Sequence, residues 1–103
     1  MATNDERYDE AIALQEQGNL AGAVATLEEL IGQAPEHALA HAALSVYYGK
    51  LERYDEAVAQ AQKVCELEPN DPFSFVALSL ICQKAGRIQE AEEATMMARQ
   101  CQA

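Results

Sequence analysis

His37 and His41 stand four residues apart with Glu36 beside them, and no other place in this 103-residue chain offers a comparable grouping for metal binding or proton transfer. A spacing of four puts two imidazoles on one face of a helix. A protein zinc site needs at least one further protein ligand, and the helical H-E-x-x-H pattern adds a glutamate between its histidines. Ala38, Leu39 and Ala40 fill that interval here, so the pair predicts no metal site. His41 is expected to fill a packing position and His37 a turn. Cys65, Cys82 and Cys101 are odd in number, widely spaced and without a C-x-x-C pair, which argues against a disulfide framework and against structural zinc. Free cysteines on helices serve mostly as small buried hydrophobes. No nucleophile stands with a base, so neither a catalytic residue nor a cofactor is expected, and binding becomes the leading function.

The elements that must position these side chains follow from the breakers. Gly18-Asn19, Ala34-Pro35-Glu36, Gly49 to Arg53, Pro69-Asn70-Asp71-Pro72 and Gly86-Arg87 divide the chain into six stretches of helical length. The helices are predicted near 4–17, 20–33, 37–50, 54–67, 71–84 and 88–101. Half of the residues are hydrophobic but only 6% are aromatic, and alanine supplies much of the apolar count, which favours close helix packing over sheets. Thr3 and Glu6 have the spacing of a capping box, and Asp71 before Pro72 joins a favoured cap to a favoured first helical residue. An all-α protein of one domain is expected.

The stretches repeat. Ala23, Ala57 and Ala91 lie at strides of 34, as do Pro35 and Pro69, while Gly18 and Gly86 lie two strides apart. Leu20, Tyr54 and Ile88 each precede the repeated alanine by three residues. A period in the thirties marks stacked helix pairs, each burying its apolar face against its neighbours and leaving broad faces free. Ala11, Ser45 and Ser79 oppose Ala23, Ala57 and Ala91 in this register, small residue against small. One segment competes with it: Glu6–Ala11 recurs verbatim as Glu52–Ala57 at a stride of 46. The 34-residue register is kept because proline, glycine and alanine agree on it.

The formal net charge is −10 and lies unevenly, with eight acids against Arg7 alone from Met1 to Glu36 but three acids against three bases from Pro72 to Ala103. Such acidity repels phosphate backbones, and no basic stripe interrupts it, so nucleic acid is excluded as a partner. The carboxylates serve chiefly to solvate helix faces; a basic partner at the amino end is the alternative. Neither a signal-like early apolar run nor a membrane-length apolar stretch is present in the sequence, and with free cysteines this predicts a cytoplasmic protein away from membranes.

The residues resemble the tetratricopeptide repeat family. Leu44, Tyr48, Tyr54, Asp55, Glu56, Ala57 and Pro69 follow that family's order and spacing, and Phe75, Leu78, Gly86, Ile88, Glu90 and Ala91 follow it again. The resemblance implies a right-handed α-solenoid of three helix-turn-helix repeats, six antiparallel helices, with units at about 4–37, 38–71 and 72–103. Departures fall at Arg7 and Glu10, where the family favours large apolar residues, and at Glu52, where the other units have glycine. The outward stripe of each second helix reads Val24, Leu27, Ile31, then Val58, Ala61, Cys65, then Glu92, Thr95, Arg99. The last stripe is polar, as the terminal unit of such an array requires, so the array is expected to end after three repeats. Met96, Met97 and Cys101 are left as exposed apolar spots, expected to pack partially beside it rather than to form a site.

In this family the first helix of each repeat lines the concave surface. Carried over, the groove would hold Tyr8, Ile12, Leu39, Ala42, Ala43, Val46, Phe73, Val76, Ala77 and Leu80, with Leu39 and Phe73 as anchors. Tyr8 and Ile12 have the core as their alternative destination. The implied function is a scaffold or adaptor that takes an amphipathic helix or apolar peptide segment from a protein partner. A homodimer that covers the same face with a second copy is the alternative. The branch of the family that clamps acidic chaperone tails uses lysine, arginine and asparagine on the groove wall, and the matching places here hold Tyr8, Ile12, Ala43, Phe73 and Ala77. None of these side chains could hold a carboxylate by charge.

Overall fold

A computed structural model of the chain describes residues 2–102, so the expected outer limits at Met1 and Ala103 lie outside the described residues. Six α-helices follow one another: α1 (Asn4–Glu16), α2 (Leu20–Gln33), α3 (Ala38–Lys50), α4 (Tyr54–Leu67), α5 (Pro72–Lys84) and α6 (Ile88–Gln102). Every end falls within one residue of its expected place. Among the described residues there is no strand.

Local chemistry explains the boundaries. Thr3 and Glu6 close the reciprocal capping box at α1, with Glu6 N–H donating to Thr3 Oγ1 at 3.1 Å. Asn19 Oδ1 accepts from Gly22 N–H at 2.9 Å, and Asp71 Oδ1 from Phe73 N–H at 3.0 Å with Pro72 opening the helix. Only α4, of the five helices whose caps are described, starts without a side-chain cap. The turn inside each helix pair is one motif used three times. Asn19 N–H bonds Leu14 C=O at 2.8 Å, Arg53 N–H bonds Tyr48 C=O at 2.9 Å, and Arg87 N–H bonds Cys82 C=O at 2.8 Å. A residue with positive φ precedes each donor: Gly18 at 86°, Glu52 at 60° and Gly86 at 79°. This is the Schellman closure of a helix, which glycine adopts without steric cost.

The helices pack principally on their chain neighbours, as an array 42 × 26 × 20 Å in extent. Ala11, Ala23, Ala57 and Ala91 are buried at the pair interfaces. Ser45 Oγ donates to Ala57 C=O at 2.9 Å, and Ser79 Oγ donates to Ala91 C=O at 3.0 Å. These bonds require the two backbones to lie close, which is what small opposing residues permit. Leu27, Leu30, Leu44 and Val58 are sealed completely and tie the first pair to the second. Cys65, Phe75 and Ala98 form a second, smaller cluster between the later helices, with Leu78 and Cys101 packed against it.

The first pair shows why its departures are tolerated. Glu10, in register with the buried Leu44, is exposed on α1, and Arg7 is half-buried with Nη1 on Glu29 at 3.0 Å. On α6, Glu92 and Arg99 are exposed while Thr95 turns inward, its hydroxyl 2.8 Å from Ser79 Oγ. The outward stripe is polar as expected. Met96 and Met97 are 57% and 43% exposed, and Cys101 packs against the smaller cluster.

Candidate functional site

Of the large apolar residues that the fold leaves exposed, five lie on α3 and α5, while Leu51 follows α3 and Ile88, Met96 and Met97 lie on α6. Phe73 is 76% exposed, Leu39 63%, Leu80 56%, Val46 55% and Val76 42%, values foreign to core side chains. A cavity of about 350 Å³ opens between the two helices, with Ala42 and Val46 on one wall, Ala77 and Leu80 on the other, and Ala61 and Val64 reaching it from α4. Gly49 permits a close approach there, since a β-carbon at that position would stand 3.1 Å from Ile81 Cδ1. Leu39, Phe73 and Val76 do not line the cavity; they continue the exposed face along the amino-terminal halves of the same helices.

The sequence-derived groove residues thus separate into two groups. Leu39, Val46, Phe73, Val76, Ala77 and Leu80 are exposed and Ala42 is half-buried in the cavity wall. Tyr8, Ile12 and Ala43 are half-buried and packed against the main core. Tyr8 meets the His37 ring edge-on at 5.8 Å, and the phenol of Tyr47 is held above the ordinary tyrosine range by burial first and then by Tyr8 and Glu16. Sequence reasoning missed Lys50 and Lys84, which line the cavity at the carboxyl-terminal ends of α3 and α5. Their 34-residue separation was the available signal.

The histidines hold structural posts. His37 caps α3, its Nδ1 accepting from Ala40 N–H at 3.1 Å. His41 is buried, with Nδ1 2.6 Å from Gln60 Oε1 and Nε2 2.7 Å from Pro35 C=O. A neutral imidazole donates only one proton. Placing the Gln60 amide with its nitrogen toward His41 Nδ1 satisfies both bonds, with Nε2–H donating to Pro35. Either ring nitrogen would have to abandon a buried bond before binding a metal. Among the described residues, no three of His, Cys, Asp or Glu are grouped to hold an ion. Burial pushes the Cys65 thiol up to about 11 and raises Cys82 as well, so neither supplies thiolate near neutral pH. No described helix is long and apolar enough to cross a membrane.

Solved structures share this architecture at low identity. A crystal structure of MamA superposes with a TM-score of 0.88 at 18% identity, covering 97% of this chain and 58% of that one. The CopN–Scc3 complex gives 0.86 at 19% identity, covering 92% and 56%. The second tetratricopeptide repeat domain of Spaghetti (RPAP3), bound to the HSP90 peptide SRMEEVD, gives 0.83 at 17% identity, covering 95% and 91%. The chain therefore spans little more than half the length of the first two. No curated protein matches its sequence. The family model described as "Tetratricopeptide repeat" matches residues 8–72, more than half of the chain. Together with three helix pairs closed by one recurring turn, that match places the chain in the tetratricopeptide repeat family.

Proposed function

We propose that the face formed by α3 and α5 is a docking groove for an amphipathic helix or apolar segment of another protein. The observation that carries this reading is the exposure of Leu39, Val46, Phe73, Val76 and Leu80 on two helices that flank one cavity. Contiguous exposed apolar patches of a few hundred Å² generally mark interaction sites, because left wet they favour aggregation. Burying about 500 Å² of apolar surface yields a gross gain of roughly 12 kcal/mol, most of it offset by association entropy, so micromolar affinity is expected. The functional unit is the run of three repeats, about 4–37, 38–71 and 72–103, acting in the cytoplasm. All three cysteines being free accords with that setting.

The likeness to the Spaghetti domain extends to fold alone. The wall positions used by tail-clamping relatives hold Tyr8, Ile12, Ala43, Phe73 and Ala77 here, of which Phe73 and Ala77 are exposed and none is charged. A second copy of the chain is the competing occupant. A net charge of −10 on each copy opposes that pairing and favours a foreign segment. Pull-down with the unaltered chain and with Leu39→Glu/Phe73→Glu tests the groove, and loss of captured proteins with helicity retained is expected. An unchanged set removes the groove from consideration. Light scattering across concentration tests the dimer, for which a mass of two chains sensitive to Phe73→Glu is the signature.

A further inference from the structure

We propose that the segment taken by this groove is an amphipathic helix with acidic side chains gathered at one end of its apolar stripe, where they lie against Lys50 and Lys84. The inference rests on the groove reading above and adds the occupant's charge and its direction. Acids outnumber bases 17 to 7 in this chain, so a cavity wall with cations and no carboxylate stands out against its setting. Arg7, Arg53, Lys63 and Arg87 are each within 4 Å of a carboxylate. Among the described residues, Lys50, Lys84 and Arg99 have no such partner; Lys50 and Lys84 share one cavity, which no aspartate or glutamate lines, and Arg99 stands apart from it on α6. Lys50 Nζ stands 5.8 Å from the Tyr47 ring centroid, a cation–π contact that leaves its hydrogen-bond donors without a carboxylate.

Position gives the direction. The two lysines occupy the last residue of α3 and of α5, one stride apart, while Glu16 holds the same place in α1. From Leu39 to Lys50, and from Phe73 to Lys84, each wall runs for about 16 Å at the helical rise, apolar for most of its length and cationic at its end. An occupant of about three turns spans it. Carboxylates on the lysine end of that occupant find two full cations, and carboxylates on the opposite end find Leu39 and Phe73 beside the capped amino termini of α3 and α5, with no lysine or arginine at either. The lysines also complement the negative ends of the α3 and α5 dipoles, a purely structural role that would need no ligand.

Panning a displayed library of random 14-residue segments against the intact chain separates these roles. The selected sequences are expected to combine an apolar helical stripe with aspartate or glutamate at one end, and to lose binding on Leu39→Glu/Phe73→Glu. Synthetic copies with amidated carboxyl termini exclude a terminal carboxylate as the source of the charge. Lys50→Gln/Lys84→Gln should weaken the acidic peptide by about twofold to thirtyfold, the range of two exposed ion pairs. The gap should narrow in high salt. It should be restored by Lys50→Arg/Lys84→Arg and be absent for a peptide with its acids changed to glutamine or asparagine. Equal affinity across these pairs, or selected acids at the Leu39–Phe73 end, overturns the inference and leaves the groove standing. Failure to select any segment sensitive to Leu39→Glu/Phe73→Glu overturns the groove reading itself.

Discussion

Replacing Glu52 with glycine should stabilise this protein, although it removes a whole side chain. Glu52 occupies the positive-φ position of the second turn at 60°, where the first and third turns have Gly18 and Gly86. The left-handed conformation costs an L-residue roughly 1–2 kcal/mol through Cβ crowding. Glycine escapes that strain but gives the unfolded chain more freedom, which returns roughly 0.4–1 kcal/mol. Glu52 is exposed and forms no side-chain hydrogen bond or ion pair with any other described residue, so little else is lost. The balance is a gain of roughly 0.5–1 kcal/mol, or a few degrees in Tm for a domain of this size. Urea titration with an unchanged slope reads it directly. Gly86→Ala is the converse, because a β-carbon there meets nothing within 4 Å and its cost is conformational. A destabilised Glu52→Gly, or a Gly86→Ala without loss, would refute the turn argument.

Ala57→Leu should cost roughly 1–3 kcal/mol, since Ala57 is fully buried and its carbonyl receives Ser45 Oγ at 2.9 Å; an unchanged melting temperature would contradict the close packing of α3 on α4. His41→Phe imitates the third repeat, where Phe75 holds that place, yet it strands the Pro35 carbonyl and Gln60, and a loss of roughly 1–3 kcal/mol in urea melts is expected. Alkaline stability should decline in two overlapping ranges. Tyr48 is pushed up to about 12 by burial and by its hydrogen bond to Glu28, and Cys65 to about 11 by burial. Both keep their protons longer folded than unfolded, so their contributions are complete below the unfolded values, near 9.0 for cysteine and 10.0 for tyrosine, and fade as pH rises through the folded ones. Tyr48→Phe should flatten the decline between about pH 10 and 12, and Cys65→Ala the decline between about 9 and 11, in urea midpoints measured against pH.

The fold was legible because its signals are periodic and local. Proline, glycine and capping residues set each helix end, and the 34-residue stride of Ala23, Ala57 and Ala91 set the pairing. The repeated hexapeptide shows where local sequence runs out. Glu6–Ala11 lies inside α1, whereas the identical Glu52–Ala57 begins in a turn with positive φ and ends in α4. Packing of Ala11 and Tyr8 against the core, rather than the hexapeptide's own propensity, decides between them. The candidate site was legible in part. Leu39, Val46, Phe73, Val76 and Leu80 emerge exposed as a concave lining would require, but half-burial of Tyr8, Ile12 and Ala43 depends on how α1 and α3 meet neighbouring helices. Helical periodicity marks an apolar face without saying whether another element covers it. The lysines at its end were overlooked because attention fell on apolar residues.

Amide chemical-shift mapping of the chain titrated with a panned segment tests the docking surface most directly. The account predicts that the largest shifts fall along α3 from Leu39 to Lys50 and along α5 from Phe73 to Lys84, with saturation that Leu39→Glu/Phe73→Glu abolishes. Shifts concentrated on the outer faces of α2, α4 or α6, with those two helices unmoved, would contradict it.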